Sequence, residues 1–350
     1  MDRGFWKDKS VLVTGHTGFK GAWLSLCLKH LGARIVGYSL PPPTEPSFFE
    51  LANVAQGIDS EIGDVRALES LRQCLARHQP EIVFHLAAQS LVRMGYEDPI
   101  VTYETNVMGT LNLLEAVRTC ASVKSLVNVT SDKCYQNEGT NRPFREDDRL
   151  GGRDPYSNSK ACAELVTTAY TQSFFSSPDS PAVATARAGN VLGGGDWGRD
   201  RLVPDIVRAA LDGNTAVIRN PDSTRPWQHV LDCLNGYVTL AESVYGSSGP
   251  AGAWNFGPVG EVKTVAWVVD HLVDRWPGHV DTKIVRDPDL IEAPMLSVDP
   301  SKAISQLDWT PRLGIEKTLE WVIEWHYAVS KGDDGRGIAI EQIDRFLRED

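Results

Sequence analysis

Short apolar runs alternate with longer stretches whose apolar residues recur at helical spacing, and this alternation fills the first half of the chain. Ser10–Thr14, Arg34–Tyr38, Ile82–Leu86 and Ser125–Thr130 read as strands. Phe19–Leu31, Arg66–Arg77, Asn106–Cys120 and Tyr156–Phe174 read as helices. Within Asn106–Cys120, Val107, Leu111, Leu114 and Val117 fall three or four positions apart, so they share one face. Nearly continuous apolar strands, each followed by a helix, imply β-α units around a parallel sheet covered on both sides. The predicted fold class is α/β: a Rossmann-type doubly wound parallel sheet with a smaller C-terminal substrate-binding α/β lobe.

The texture changes near residue 190. The segments 193–198 and 220–227 are rich in Gly, Asp, Asn and Pro and read as irregular turns. Ala182–Arg187 and Trp254–Phe256 look like strands that return to the main sheet. The predicted organisation is therefore discontinuous. A dinucleotide-binding domain takes 1–189 and a returning segment at about 228–257, a substrate-binding lobe takes 190–227 and 258–330, and 331–350 forms a tail. That tail opens with a Gly/Asp-rich linker and ends in a short charged helix whose role the pattern does not reveal.

Composition narrows the function classes. The 350 residues carry a formal net charge of -11, which argues against non-specific nucleic-acid binding. No apolar run approaches the ~20 residues of a membrane helix. The N-terminus has no signal-peptide apolar core, and six scattered cysteines include no C-x-x-C pair. Free thiols in a reducing cytoplasm are expected. The eight histidines include no H-x-H or H-E-x-x-H, so no metal site is expected.

Candidate chemistry begins at the first strand-to-helix turn, Gly15-x-x-Gly18-x-x-Gly21, which includes His16, Thr17 and Phe19. Gly15 allows a tight turn, Gly18 lets backbone N–H groups approach a pyrophosphate, and Gly21 allows close packing. The second strand ends at Ser39 rather than at the carboxylate that ordinarily takes the adenosine ribose hydroxyls. NAD is expected rather than NADP, although Ser39 does not repel a 2′-phosphate. Asp64 and Val65 could position the adenine, or Asp64 could cap the helix predicted from Arg66. Leu86, Ala87, Ala88 and Gln89 end a central strand, where small residues would let a cofactor lie against the sheet edge.

Ser131, Asp132 and Lys133 follow another strand, giving a hydroxyl, a carboxylate and an amine where parallel sheets present their ligand crevice. Tyr156 and Lys160 stand four residues apart, hence on one helix face. A neighbouring ammonium is expected to lower the tyrosine pKa, preparing a base for a sugar hydroxyl. On the substrate side, Asn190 and Arg225 are diphosphate candidates. Gln89, Asp196, Trp197 and Arg201 are further contacts, and Trp227 and Trp309 read as core aromatics.

Together these residues resemble the extended short-chain dehydrogenase/reductase family, in its sugar-nucleotide branch. The resemblance runs from Gly15-x-x-Gly18-x-x-Gly21 through Ser131–Lys133 and Tyr156-x-x-x-Lys160 to Arg187–Asn190, Arg225–Val230, Asn255–Pro258 and Trp309–Pro311. It implies a redox-neutral 4,6-dehydration of a nucleotide sugar, with CDP-glucose as substrate and NAD as cofactor. Tyr156 would take the 4-hydroxyl proton, with Ser131 donating to the same oxygen. Lys160 would tune Tyr156 and hold the nicotinamide ribose. Asp132 would protonate the departing 6-hydroxyl. Related dTDP-glucose enzymes carry a glutamate at the position of Lys133, so the C5 base would be Lys133, or its ammonium would stabilise an enolate. The resemblance also implies a homodimer or a tetramer, paired through helices near 106–120 and 156–174.

Overall fold

In the computed structural model, residues 1–139, 142–246, 251–260, 262–285 and 296–348 are described. Seven strands form one parallel sheet: β1 (Ser10–Thr14), β2 (Arg34–Ser39), β3 (Asp59–Ile62), β4 (Ile82–His85), β5 (Ser125–Val129), β6 (Ala182–Ala188) and β10 (Gly252–Phe256). Their order is β10-β6-β5-β4-β1-β2-β3, every pair parallel. The remaining strands, β7 (Val191–Leu192), β8 (Thr215–Ile218), β9 (Gln228–His229) and β11 (Asp281–Ile284), make two small sheets, β7 with β9 and β8 with β11.

The period-two alternation of each strand divides the core. Val11, Val13, Phe84 and Val127 face one layer, with Trp23, Tyr237, Trp254 and Trp309. Leu12, Val36, Val83 and Leu126 face the other, with Leu71, Leu113, Leu114 and Val117. A third cluster, including Val203, Ile206, Trp227, Val268 and Val322, belongs to the segments beyond residue 190. Trp227 and Trp309 are both buried, as expected of core aromatics.

Boundaries differ where side chains compete for the backbone. The helix expected from Arg66 starts at Leu68, because Asp64 Oδ1 accepts the Arg66 N–H at 2.9 Å and holds a turn there. Asp64 is thus not the cap of that helix, which follows Ala67. The helix expected from Asn106 begins earlier, at Pro99–Tyr103, and passes through a π-helical turn at Glu104–Met108 before Gly109–Arg118.

The tail is integral to the fold. Gly335–Arg348 is helical and buries Ala339, Ile343 and Phe346, spaced four and three residues apart. It packs against Ile315–Ser330, Phe19–His30 and Phe48–Leu51. Trp325 Nε1 donates to Gly335 O at 3.0 Å, and Arg336 Nη1 donates to Asn53 O at 2.6 Å. Burying Ile343 and Phe346 contributes on the order of 3–6 kcal/mol. Among the described residues no helix is long and apolar enough to cross a membrane.

Candidate active site

Chain order reverses between β1 and β4, which are neighbours in the sheet. A crevice must open at their carboxyl ends. The turn after β1 and the loop after β4 meet there. Gly15 has φ +76°, and a Cβ on it would lie 2.6 Å from Ala87 N. A Cβ on Gly21 would lie 2.1 Å from Gly15 O, so this glycine packs against the turn itself. Gly18 caps the Phe19–His30 helix without a side-chain hydrogen bond. The helix N-terminus is therefore closed by backbone alone, a cradle that fits a dinucleotide pyrophosphate.

Side chains around this turn fix it to the sheet. Thr17 Oγ1 lies 2.9 Å from Ser39 Oγ and donates to Leu40 O at 2.8 Å. His16 is fully buried; its Nε2 lies 2.7 Å from Ser60 Oγ, and its ring covers Gly37, where a Cβ would meet it at 2.3 Å. Burial pushes the His16 imidazole down to about 4, so it is neutral. Phe19 packs near Gly193. Asp64 accepts Arg66 Nη2 at 2.6 Å, and this guanidinium holds its carboxyl below the usual range. Asn112 Nδ2 donates to Val65 O at 3.1 Å.

Leu86, Ala87 and Ala88 are half-buried where β4 ends, Leu86 and Ala87 tied to Thr14. Gln89 turns inward. Its Nε2 donates to Leu91 O at 3.0 Å and Thr102 Oγ1 at 2.9 Å, and its Oε1 accepts Leu91 N at 2.5 Å. The Gln89 carboxamide thus braces the loop after β4.

The five reaction candidates come from two elements. Ser131, Asp132 and Lys133 follow β5 in a single 3₁₀ turn, where Ser131 Oγ accepts Lys133 N at 3.2 Å and donates to Asp132 Oδ1 at 3.1 Å. Tyr156 and Lys160 lie on the buried face of Pro155–Phe174, which begins at the Asp154 cap. The Ser131 hydroxyl reaches Tyr156 and favours its phenolate. Asp132 Oδ2 is buried without a hydrogen-bond partner among the described residues, and a Cβ on Gly189 would stand 2.9 Å from it. Burial raises the Asp132 carboxyl, against Lys133, Ser131, Arg225 and Lys20. Burial of this kind favours the protonated form, the direction a proton donor needs. The half-buried Lys133 ammonium makes no hydrogen bond or ion pair among the described residues.

The expected lowering of Tyr156 does not appear. Burial pushes Tyr156 up to about 12, against the Ser131 hydroxyl and the charge of Arg201. Desolvation dominates because the phenol sits at the helix start under β5 and its loop. Lys160 Nζ donates to Val129 O at 3.4 Å, and burial, then Lys20, lower it from 10.5 to about 8.

A lysine depressed on folding destabilises the fold wherever it is charged. That cost is fully present below pH 8 and disappears above 10.5. Lys160→Met is expected to raise stability at pH 7 by up to about 3 kcal/mol while abolishing turnover. The gain should shrink as pH rises through that window, and urea titrations at several pH values measure it.

Of the substrate-side candidates, Arg201 faces Tyr156. Its Nη1 donates to Asp196 Oδ2 at 3.0 Å and its Nη2 to Ser90 Oγ at 3.1 Å. Asp196 also accepts Gly198 N at 3.0 Å. Asn190 lies in the turn between β6 and β7, its backbone O accepting Gln228 N at 3.0 Å. Arg225 is buried, donates to Thr224 O at 2.8 Å and acts on Asp132. Trp197 packs edge-on against His326 at 4.9 Å, with its indole N–H unpartnered among the described residues. The sequence reading missed Lys20, Glu164 and Tyr237. It also gave no hint that Glu61, Cys74 and His78 approach within 4.8 Å on the far side of β2, where Arg77 already pairs with Glu61.

The family model for GDP-mannose 4,6 dehydratase matches residues 12–322. The chain belongs to that family. It is 48% identical over 340 residues to the CDP-glucose 4,6-dehydratase of Salmonella typhimurium, covering 95% of each chain. Among solved structures it resembles MoeE5 in complex with UDP-glucose and NAD, with a TM-score of 0.78, 26% identity and coverage of 91% and 99%. It shares its fold with DesIV, a dTDP-glucose 4,6-dehydratase from Streptomyces venezuelae, with a TM-score of 0.79, 24% identity and coverage of 92% and 98%. The expected fold class, a Rossmann-type sheet with smaller C-terminal sheets, matches what these relatives and the strand order show.

Proposed function

We propose that this chain is a CDP-glucose 4,6-dehydratase, converting CDP-D-glucose to CDP-4-keto-6-deoxy-D-glucose and water. The observation that carries the reading is the buried Asp132 carboxyl, poised beside Ser131, Lys133 and Tyr156 at one strand end. An epimerase of this fold needs the tyrosine but no acid for a leaving hydroxyl. The choice of cytidine follows the 48% identical Salmonella relative.

The Gly15–Gly21 turn, with Ser39 and Asp64, would hold NAD, which when bound would supply a hydride acceptor and donor. Tyr156 takes the proton of the 4-hydroxyl, with Ser131 donating to that oxygen. The 4-ketone acidifies C5–H. Lys133 lies next to the acid and takes the C5 proton or stabilises the enolate, and Asp132 protonates the departing 6-oxygen. Lys160 orients the cofactor ribose. Asn190, Arg225, Arg201, Asp196 and Trp197 bound the substrate side, in a lobe built from 190–227 and 258–330. The six cysteines are free thiols, in keeping with a cytoplasmic enzyme that serves deoxysugar synthesis.

Incubation with CDP-, dTDP-, GDP- and UDP-sugars, followed by mass spectrometry, tests this. A 4-keto-6-deoxy product from CDP-glucose, with no net NADH, is expected. NADH accumulating in proportion to product would refute it.

A second copy of the chain is the proposed partner. Ile100 is 69% exposed, Leu165 58% and Met108 47%, on packed helices of one face. Pro99, Ile100, Tyr103, Val107 and Met108 line an apolar groove of 360 Å³ there. Exposed apolar surface of this kind marks an association site. The double variant Ile100→Glu/Leu165→Glu is expected to sediment as a monomer where the unaltered chain sediments as a dimer or tetramer.

A further inference from the structure

Lys20 stands where elementary electrostatics opposes it. It occupies the first turn of Phe19–His30, at the positive end of the helix dipole, in a turn without acidic residues. It is half-buried and makes no hydrogen bond or ion pair among the described residues. Its ammonium lies toward an aromatic face, with Nζ 5.8 Å from the ring centroid of Tyr237. Tyr237 is fully buried on Val230–Val244, with its hydroxyl unpartnered among the described residues.

These neighbours show which end of the crevice Lys20 serves. Its charge acts on Asp132, Lys160 and Cys233, and Tyr237 in turn feels Asp132 and Tyr156. Ser39, Asp64 and Thr17, at the adenosine end, are tied to other partners. Lys20 therefore points from the pyrophosphate turn toward the reaction residues. A cation held there with no ion pair among the described residues raises the energy of any second cation placed beside it. The oxidised nicotinamide ring is such a cation, and the reduced ring is neutral.

We propose that Lys20 is a positioning residue that biases the bound nicotinamide toward its reduced form, so that the hydride withdrawn from the sugar is retained until water has left. This rests on the NAD-dependent reading above. It adds a specific role for a side chain that touches neither the 4-hydroxyl nor the leaving group. It also accounts for a lysine at a helix start where a neutral or acidic residue would be favoured.

The test compares the wild-type enzyme with K20M and K20R by measuring Kd for NADH from its fluorescence and Kd for NAD⁺ by competition. In K20M the affinity ratio is expected to move toward NAD⁺ by about tenfold, the order for one charge acting over several ångströms in partly hydrated protein. K20R, which keeps the charge, should keep the ratio. Equal weakening of both forms in K20M would overturn the proposal and make Lys20 a phosphate contact. An unchanged ratio would overturn it as well. K20Q gives the same readout should K20M fail to fold. Failure of the underlying reading is seen separately, as a wild-type chain that binds neither form.

Discussion

Tyr156→Phe loses most turnover, by about 10²–10⁴-fold, while NAD affinity stays near that of the parent. The phenol is the group placed to accept the 4-hydroxyl proton, and removing its oxygen leaves the pocket otherwise unchanged. With Tyr156 at about 12, the residue rests as a neutral phenol. Burial, Asp132 and Asp154 oppose the phenolate, while Ser131 and Arg201 favour it. Ser131→Ala should therefore lower turnover in the same direction as Tyr156→Phe, by less. Calorimetric titration with NAD and a product assay on the same preparation check the claim. Wild-type turnover in Tyr156→Phe would take the tyrosine out of the chemistry.

The sheet was legible chiefly in its central strands, which are buried and largely apolar, whereas the edge strand β3, Asp-Ser-Glu-Ile, is polar. Ser10–Thr14 agrees with the reading to the residue, and Ala182–Ala188 and Gly252–Phe256 do pair into the main sheet. The reaction candidates were legible for the same reason: parallel sheets bring strand ends together whatever the loops do. What the sequence could not show was the direction of side chains. Gln89 lies in the loop four residues beyond β4, and its carboxamide turns into that loop. His16 lies in the dinucleotide turn, yet its ring covers Gly37. The sign of the Tyr156 shift was missed because spacing gives proximity to Lys160 but says nothing of desolvation. The tail helix was read but its docking was not, although the spacing of Ala339, Ile343 and Phe346 puts an apolar stripe on one face. Lys20 was not singled out, because a helix start in a one-dimensional sequence does not show which end of the crevice a long side chain reaches.

The Tyr156–Lys160 spacing extends further along its helix, and that extension accounts for how the two halves of the site keep register. Glu164 and Thr167 continue the same buried face. Glu164 meets Arg187 of β6 in a two-pronged pair, Nε at 2.9 Å and Nη2 at 2.8 Å, with side chains only 2% and 3% exposed. Thr130 donates to Glu164 Oε1, and Thr185 donates to Oε2 at 2.8 Å. Arg187 Nη1 donates to Tyr135 Oη at 2.8 Å, and that hydroxyl donates to Asn255 Oδ1 at 2.7 Å. Thr130 immediately precedes Ser131. One carboxylate thus ties the helix carrying Tyr156 and Lys160 to the strand end carrying Ser131, Asp132 and Lys133.

Arg187→Met strands the Glu164 charge in the core and is expected to cost 3–5 kcal/mol, roughly the penalty for breaking a buried pair. Glu164 cannot relax to solvent, because helix and sheet cover it on both sides. Adding Glu164→Gln should recover part of the loss, since it removes the uncompensated charge while keeping an acceptor for Thr130. Turnover should follow a different course. The double variant regains stability but not the two-pronged contact that sets Tyr156 against Ser131, so its kcat stays low while its urea midpoint rises. Stability and kcat recovering in parallel would show that the network supports the fold alone and does not align the site.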